Sequence, residues 1–106
     1  MPVIPLTDAT FDELVGSSDR PVLVDFTAAW CGPCRQLEPV LAAIADEQAD
    51  RLVVGSIDVD VHLASAQRYG VMSFPTLIVF QDGEEQRRLV GARGKGRLLE
   101  DLAPHL

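Results

Sequence analysis

The feature that most constrains this chain is the segment Trp30-Cys31-Gly32-Pro33-Cys34, which contains its only two cysteines. It follows an apolar run at residues 22–26 and precedes an amphipathic stretch at residues 35–50, the pattern of a buried strand, a turn and a helix. Residues three apart at a helix start have Cα atoms about 5 Å apart on one face, within the range that a disulfide can bridge. We therefore expect Cys31 and Cys34 to form and break a disulfide.

A disulfide between Cys31 and Cys34 would serve a redox reaction better than it would stabilise the fold. In the chain-entropy model, a disulfide that closes so small a ring stabilises the folded state by only about 2 kcal/mol. We therefore expect the bond to be easily reduced. Unpaired N–H groups and the helix dipole favour an anion at the helix N-terminus. We expect Cys31 to have a stabilised thiolate and Cys34, one turn in, to be more enclosed and harder to ionise. Gly32 is expected to leave Cys31 uncovered, and Pro33 suits the first helical turn.

Length, net charge and composition restrict the number of domains, the partners and the compartment expected for this chain. A chain of 106 residues is expected to form one domain, residues 1–106. The net charge of −7 argues against nucleic acid or an anionic membrane as a partner. No apolar run approaches membrane-spanning length and the start has no charged leader, so a reducing cytoplasm is the expected compartment. Two cysteines in that compartment are more often catalytic or metal-binding than structural.

Periodicity predicts an α/β fold with a central mixed sheet and helices on both faces. We expect a short extended segment at residues 3–6 and a helix ended by Gly16, before the buried strand 22–26 and the long helix. Further predicted elements are a parallel strand at 52–57, a short helix at 62–69, a strand at 76–80, an antiparallel strand at 84–90 after the Asp82-Gly83 turn, and a final helix carrying Leu98, Leu99 and Leu102. The predicted order is β-α-β-α-β-β-α.

Two positions leave alternatives open. Asp25 interrupts the buried strand, so it lies either at a solvated strand end or in the interior, protonated, with a raised pKa. Pro39 either kinks one long helix or begins a second helix after a short cap.

The sequence Trp30-Cys31-Gly32-Pro33-Cys34 after a buried strand resembles the redox site of the thioredoxin family of protein-disulfide reductases. The resemblance extends over nearly the whole chain and implies the thioredoxin fold. It implies that Asp25 is buried behind Cys34 as its proton acceptor, that Pro39 kinks one helix, and that Pro75 follows a cis peptide bond facing the cysteines.

The resemblance also implies a surface that contacts the substrate. Its residues are Trp30, Met72, Ser73, Phe74, Pro75, Gly91 and Ala92, with Gly32 and Pro33 beside them. Two positions depart from the family pattern: Thr27 stands where an aromatic residue is common, and Ser56 stands where a lysine is common. Because the lysine's cation is missing, we expect an even higher pKa for Asp25.

The mechanism expected from these residues is dithiol–disulfide exchange on protein disulfides. Cys31 attacks a substrate sulfur, Asp25 takes the proton of Cys34, and Cys34 then attacks Cys31 to release the reduced substrate. No bound cofactor is needed. The resemblance implies a monomeric electron carrier in cell redox homeostasis, reduced again by a flavin-dependent thioredoxin reductase that draws on NADPH.

Two other classes of function compete with this interpretation. A zinc site would need ligands beyond Cys31 and Cys34, and only His62 and His105 could supply nitrogen. A thioredoxin-fold interaction or chaperone module would carry the same motif with incidental redox exchange. Such a module would act equally well with both cysteines changed to serine.

Overall fold

The computed structural model describes residues 1–106 and confirms the predicted fold class. In chain order the elements are β1 (Ile4–Leu6), α1 (Asp8–Ser17), β2 (Val22–Thr27), α2 (Gly32–Glu47), β3 (Val53–Asp58), α3 (Leu63–Arg68), β4 (Thr76–Gln81), β5 (Glu84–Val90), α4 (Lys95–Leu102) and a 3₁₀ turn at Ala103–His105. The five strands form one sheet in the order β1-β3-β2-β4-β5. None of the helices is both long and apolar enough to cross a bilayer.

Strand β2 lies at the centre of the sheet, parallel to β3 and antiparallel to β4. Its alternate side chains enter two apolar clusters on opposite faces, which is why every residue from Val22 to Phe26 except Asp25 is apolar. Phe26 packs with Phe11 and Phe80 on one face. Leu23 belongs to the cluster on the other face, with residues of α2 and α4. The centre of the sheet thus leads directly into the cysteine segment.

The structure corrects the N-terminal prediction in two respects. Residues Ile4–Leu6 are a hydrogen-bonded edge strand parallel to β3, so the observed order, β-α-β-α-β-α-β-β-α, contains one strand–helix unit more than predicted. Three residues offer too little alternation to identify a strand. Helix α1 also continues through Gly16 to Ser17. A single glycine costs a helix only about 1 kcal/mol, and the buried Phe11 and Val15 hold this one in place.

Helix α2 is one continuous helix with Pro39 inside it, which rules out a second helix starting there. Its buried residues recur at helical spacing and include Cys34, Leu37, Leu41 and Ile44. Packing of this face offsets the backbone hydrogen bond that a proline removes.

The predicted turn at Asp82-Gly83 is confirmed. Asp82 has φ 53° and Gly83 has φ 82°, the two positive values that the commonest two-residue hairpin turn requires. The turn joins β4 to β5 antiparallel.

Candidate active site

Cys31 is the N-cap of α2. Its backbone is extended, with φ −86° and ψ 112°, and its Sγ accepts a hydrogen bond from the backbone N–H of Cys34 over 3.3 Å. Pro33 lies in the first turn, where its missing N–H costs nothing. The sulfur therefore occupies the place that a serine or aspartate oxygen takes in most capped helices. Both cysteines are free thiols.

The expectation that Cys31 is uncovered is wrong, because only 5% of the residue is exposed. Its S–H donates to the carbonyl oxygen of Phe74 over 3.6 Å, so the loop before β4 covers one side of the thiol. A Cβ added at Gly32 would meet no atom within 4 Å apart from its chain neighbours and its own helix backbone.

Cys34 is fully buried, as predicted. Burial raises the pKa of the Cys34 thiol above its ordinary value, and a hydrogen bond with Cys31 adds to the increase. Hydrogen bonds with the Thr27 side chain and the Ala28 backbone act in the opposite direction. Cys34 thus needs a base nearby before it can react at neutral pH.

Asp25 lies inside β2, with 1% of the residue exposed, so the solvated-end alternative is excluded. It pairs with Ser56 of β3 and Leu77 of β4, and its Oδ1 atom has no hydrogen-bond partner. Burial raises the pKa of Asp25 to about 7, and the negative charge of Glu38 contributes to the increase. Sequence reasoning missed Glu38, although its place four residues after Cys34 was an available signal.

Asp25 and Cys34 are connected through the geometry of β2. Thr27, whose side chain acts to lower the pKa of the Cys34 thiol, lies two residues after Asp25 on the same face of the strand. Two residues of strand correspond to about 7 Å. No direct hydrogen bond joins Asp25 to Cys34, so a proton moving between them needs an intervening water.

Four of the residues expected to contact substrate are joined by direct contacts: Trp30, Phe74, Pro75 and Gly91. The ring of Trp30, which is 65% exposed, meets the Phe74 ring edge to face with centroids 5.9 Å apart. The Phe74-Pro75 peptide bond is cis, as the resemblance implied. The N–H of Gly91 donates to the Pro75 carbonyl oxygen over 2.9 Å, which brings the β5–α4 loop alongside.

The other three residues of the set are Met72, Ser73 and Ala92. Met72 is 92% exposed and Ser73 is also exposed, both on the loop before β4. Ala92 lines a shallow groove with Gln36 and Val40 of α2. The histidines weighed as metal ligands lie elsewhere: His62 is the N-cap of α3, and His105 lies in the C-terminal 3₁₀ turn. No three His, Cys, Asp or Glu residues of the chain are grouped so that they could hold a metal ion.

Comparison with protein families identifies the family of this chain. The family model described as Thioredoxin matches residues 2–104. The chain belongs to the thioredoxin family. It is a thiol–disulfide oxidoreductase with the role of a protein-disulfide reductase.

Curated thioredoxins match the chain along most of its length. It is 51% identical over 100 residues to a thioredoxin of Mycobacterium tuberculosis, covering 94% of this chain and 86% of that one. It is 49% identical over 105 residues to a thioredoxin of Mycolicibacterium smegmatis, covering 97% and 94%. It is also 51% identical over 100 residues to a protein of Mycobacterium leprae named bifunctional thioredoxin reductase/thioredoxin, covering 94% of this chain and 22% of that protein.

Proposed function

We propose that Cys31 is the nucleophile of the exchange reaction. Its thiolate attacks one sulfur of a substrate disulfide, forming a Cys31–substrate disulfide and expelling the other substrate sulfur as a thiolate. The hydrogen bond from the Cys34 N–H to the Cys31 sulfur supports this role. A negative sulfur at the N-cap gains both that charge-assisted bond and the favourable end of the helix dipole.

Cys34 resolves the intermediate, with Asp25 as its base. Asp25 takes the Cys34 proton through a water, the Cys34 thiolate attacks the Cys31 sulfur, and the second substrate sulfur leaves as a thiolate. Two electrons have then passed to the substrate, and a Cys31–Cys34 disulfide remains. The raised pKa of Asp25, about 7, supports this role because a general base works best when its pKa lies near the working pH.

The protein substrate docks on an apolar surface around the thiols. Its members are Trp30, Gly32, Pro33, Met72, Ser73, Phe74, Pro75, Gly91 and Ala92. The exposed ring of Trp30 in contact with Phe74 supports this surface, since adjoining apolar side chains that reach into water mark interaction sites.

The dithiol is restored by a thioredoxin reductase. The name of the relative from Mycobacterium leprae supports this partner, because it joins a thioredoxin reductase and a thioredoxin in one protein. We further propose that residues 1–106 act as one monomeric domain in the cytoplasm, without a bound cofactor and without nucleic acid or membrane as partners.

The observation that carries the proposal is the capping bond between the Cys34 N–H and the Cys31 sulfur. Reduction of insulin disulfides tests it. We expect Cys31→Ser to have no activity, and Cys34→Ser to accumulate a covalent complex with substrate that a non-reducing gel detects. Activity in Cys31→Ser would refute the nucleophile assignment, and absence of the complex in Cys34→Ser would refute the resolving role.

A further inference from the structure

A cavity of about 250 Å³ adjoins Asp25, and none of the residues expected to contact substrate lines it. It is lined by Val3, Asp25, Glu38, Leu41, Ala42 and Ser56. A water in liquid occupies roughly 30 Å³, so the cavity has room for several waters. Its polar lining side chains are those of Asp25, Glu38 and Ser56, which offer such waters hydrogen-bond partners.

Glu38 occupies the outer wall of this cavity. It follows Cys34 by one turn of α2, and residues four apart lie above one another on the same helix face. Cys34 is buried and Glu38 is exposed, so this face runs from the reacting sulfur to solvent. Glu38 takes part in none of the ion pairs of the structure, which leaves its carboxylate free to exchange protons.

No other charged side chain faces Asp25. Strand β3 contributes Ser56, β4 contributes Leu77, and the N-terminal segment contributes Val3, all uncharged. The Oδ1 atom of Asp25 has no partner within the protein. Glu38 and any water that enters the cavity are therefore the polar contacts available to the buried carboxyl group there.

We propose that Glu38 relays protons between Asp25 and bulk solvent through this cavity, as a positioning residue that acts on the reaction only through Asp25. The proposal rests on the proposed role of Asp25 as the base for Cys34. Once Asp25 has taken the proton of Cys34, removal of that proton prevents its return and keeps Cys34 a thiolate for the resolving attack. That proton passes through water to the Glu38 carboxylate and then to bulk solvent, where the departing substrate thiolate or buffer takes it. Asp25 and Glu38 return to carboxylates, and no electrons move in this step.

The test compares Glu38→Gln, which cannot carry a proton, with Glu38→Asp, which can. Glu100→Gln is the matched control, because Glu100 is an exposed residue of α4 and its change removes the same charge elsewhere. Reduced protein is mixed with a saturating disulfide peptide, and the fluorescence of Trp30, the only tryptophan, reports the first-order resolving step. Rates are measured on both sides of the Asp25 pKa of about 7, at low and high buffer concentration.

We expect Glu38→Gln to lower the rate above the Asp25 pKa by roughly tenfold, less than the loss typical of a group that acts directly on the reacting atoms. Its rate should rise with buffer concentration, because small acids then carry the proton. Glu38→Asp should restore most of the rate, and Glu100→Gln should match the wild type.

Two results would overturn the relay. In one, Glu38→Gln keeps the wild-type rate above the Asp25 pKa and only shifts the midpoint to lower pH, which shows that Glu38 acts by its charge alone. In the other, Glu38→Gln has the same dependence of the resolving rate on pH as the wild type. Asp25→Asn, measured in parallel, separates this failure from failure of the proposed function. If Asp25→Asn also leaves the profile unchanged, the role of Asp25 is wrong; if it abolishes the pH dependence, only the relay is wrong.

Discussion

The backbone N–H of Cys34 donates a hydrogen bond to the sulfur of Cys31 over 3.3 Å. One atom thus both caps helix α2 and, as we propose, attacks the substrate. The two functions can be separated by substitution, because a hydroxyl caps a helix well and is a far weaker nucleophile than a thiolate.

Cys31→Ser should therefore retain the stability of the reduced protein, whereas Cys31→Ala should lose about 1 kcal/mol, the usual cost of removing an N-cap side chain. Both variants should be inactive in insulin reduction. Urea unfolding of the reduced proteins measures the difference. Equal stability of the serine and alanine variants would show that the side chain at position 31 does not cap the helix.

Asp25→Asn should change how stability depends on pH. The folded-state pKa of Asp25 is raised from 3.8 to about 7, so the folded protein binds this proton more tightly than the unfolded chain does. The stability associated with the bound proton is fully present below pH 3.8 and is lost as the pH rises through about 7. A pKa shift of this size changes the free energy of unfolding by about 4 kcal/mol across that pH range.

We accordingly expect Asp25→Asn to gain stability over the wild type by up to about 4 kcal/mol between acidic and mildly alkaline pH. The comparison is between reduced proteins in urea at several pH values. Subtracting the wild-type free energy of unfolding from that of the variant at each pH cancels the contributions of the other titrating groups. These include Asp8 and Asp101, whose lowered pKa values change stability with the opposite sign. A difference that does not vary with pH would contradict the raised pKa of Asp25.

Thr27→Val should make Cys34 harder to ionise. The Thr27 side chain hydrogen-bonds to the thiol in the sense that lowers its pKa, and valine has the same shape without the hydroxyl. Titration of a ¹³C label in Cys34 should show a higher pKa in Thr27→Val, and the resolving step should slow at neutral pH. Thr27→Ser keeps a hydroxyl and should resemble the wild type; a valine variant with an unchanged Cys34 pKa would rule out this contact.

Trp30→Ala should weaken the docking of protein substrates. The Trp30 ring is 65% exposed and lies edge to face with the half-buried Phe74. An aromatic contact from Trp30 to a bound substrate would contribute about 1 kcal/mol, or roughly fivefold in KM. Steady-state insulin reduction should show a higher KM and little change in kcat. Val61→Ala is the control, since Val61 is also an exposed apolar residue, in the loop after β3. An equal rise in KM in both variants would argue against a localised docking surface.

Features of the site that depend on local sequence could be predicted without the structure. The Cys31 cap, the buried position of Cys34 and the turn at Asp82-Gly83 each follow from a few neighbouring residues. Helix periodicity and turn chemistry act over the same short range.

Features of the site that depend on residues distant in the chain could not be predicted from the sequence. The carbonyl that covers Cys31 belongs to Phe74, 43 residues further along the chain. The environment of Asp25 comes from Ser56 on β3 and Glu38 on α2, so the strand sequence alone left its burial open. Helix α3 has no side-chain cap of its own and is instead capped by Asp8, whose Oδ1 accepts from the N–H of Ser65, 57 residues away.

The two outer strands of the sheet, β1 and β5, also affect whether the protein aggregates at high concentration. Strand β1 is only three residues long and contains Pro5, which has no N–H to offer a neighbour. Strand β5 carries Glu84, Glu85, Arg87 and Arg88, so a foreign strand would meet a dense row of charges. Neither edge is a long, flat, apolar template, which protects the sheet against edge-to-edge aggregation.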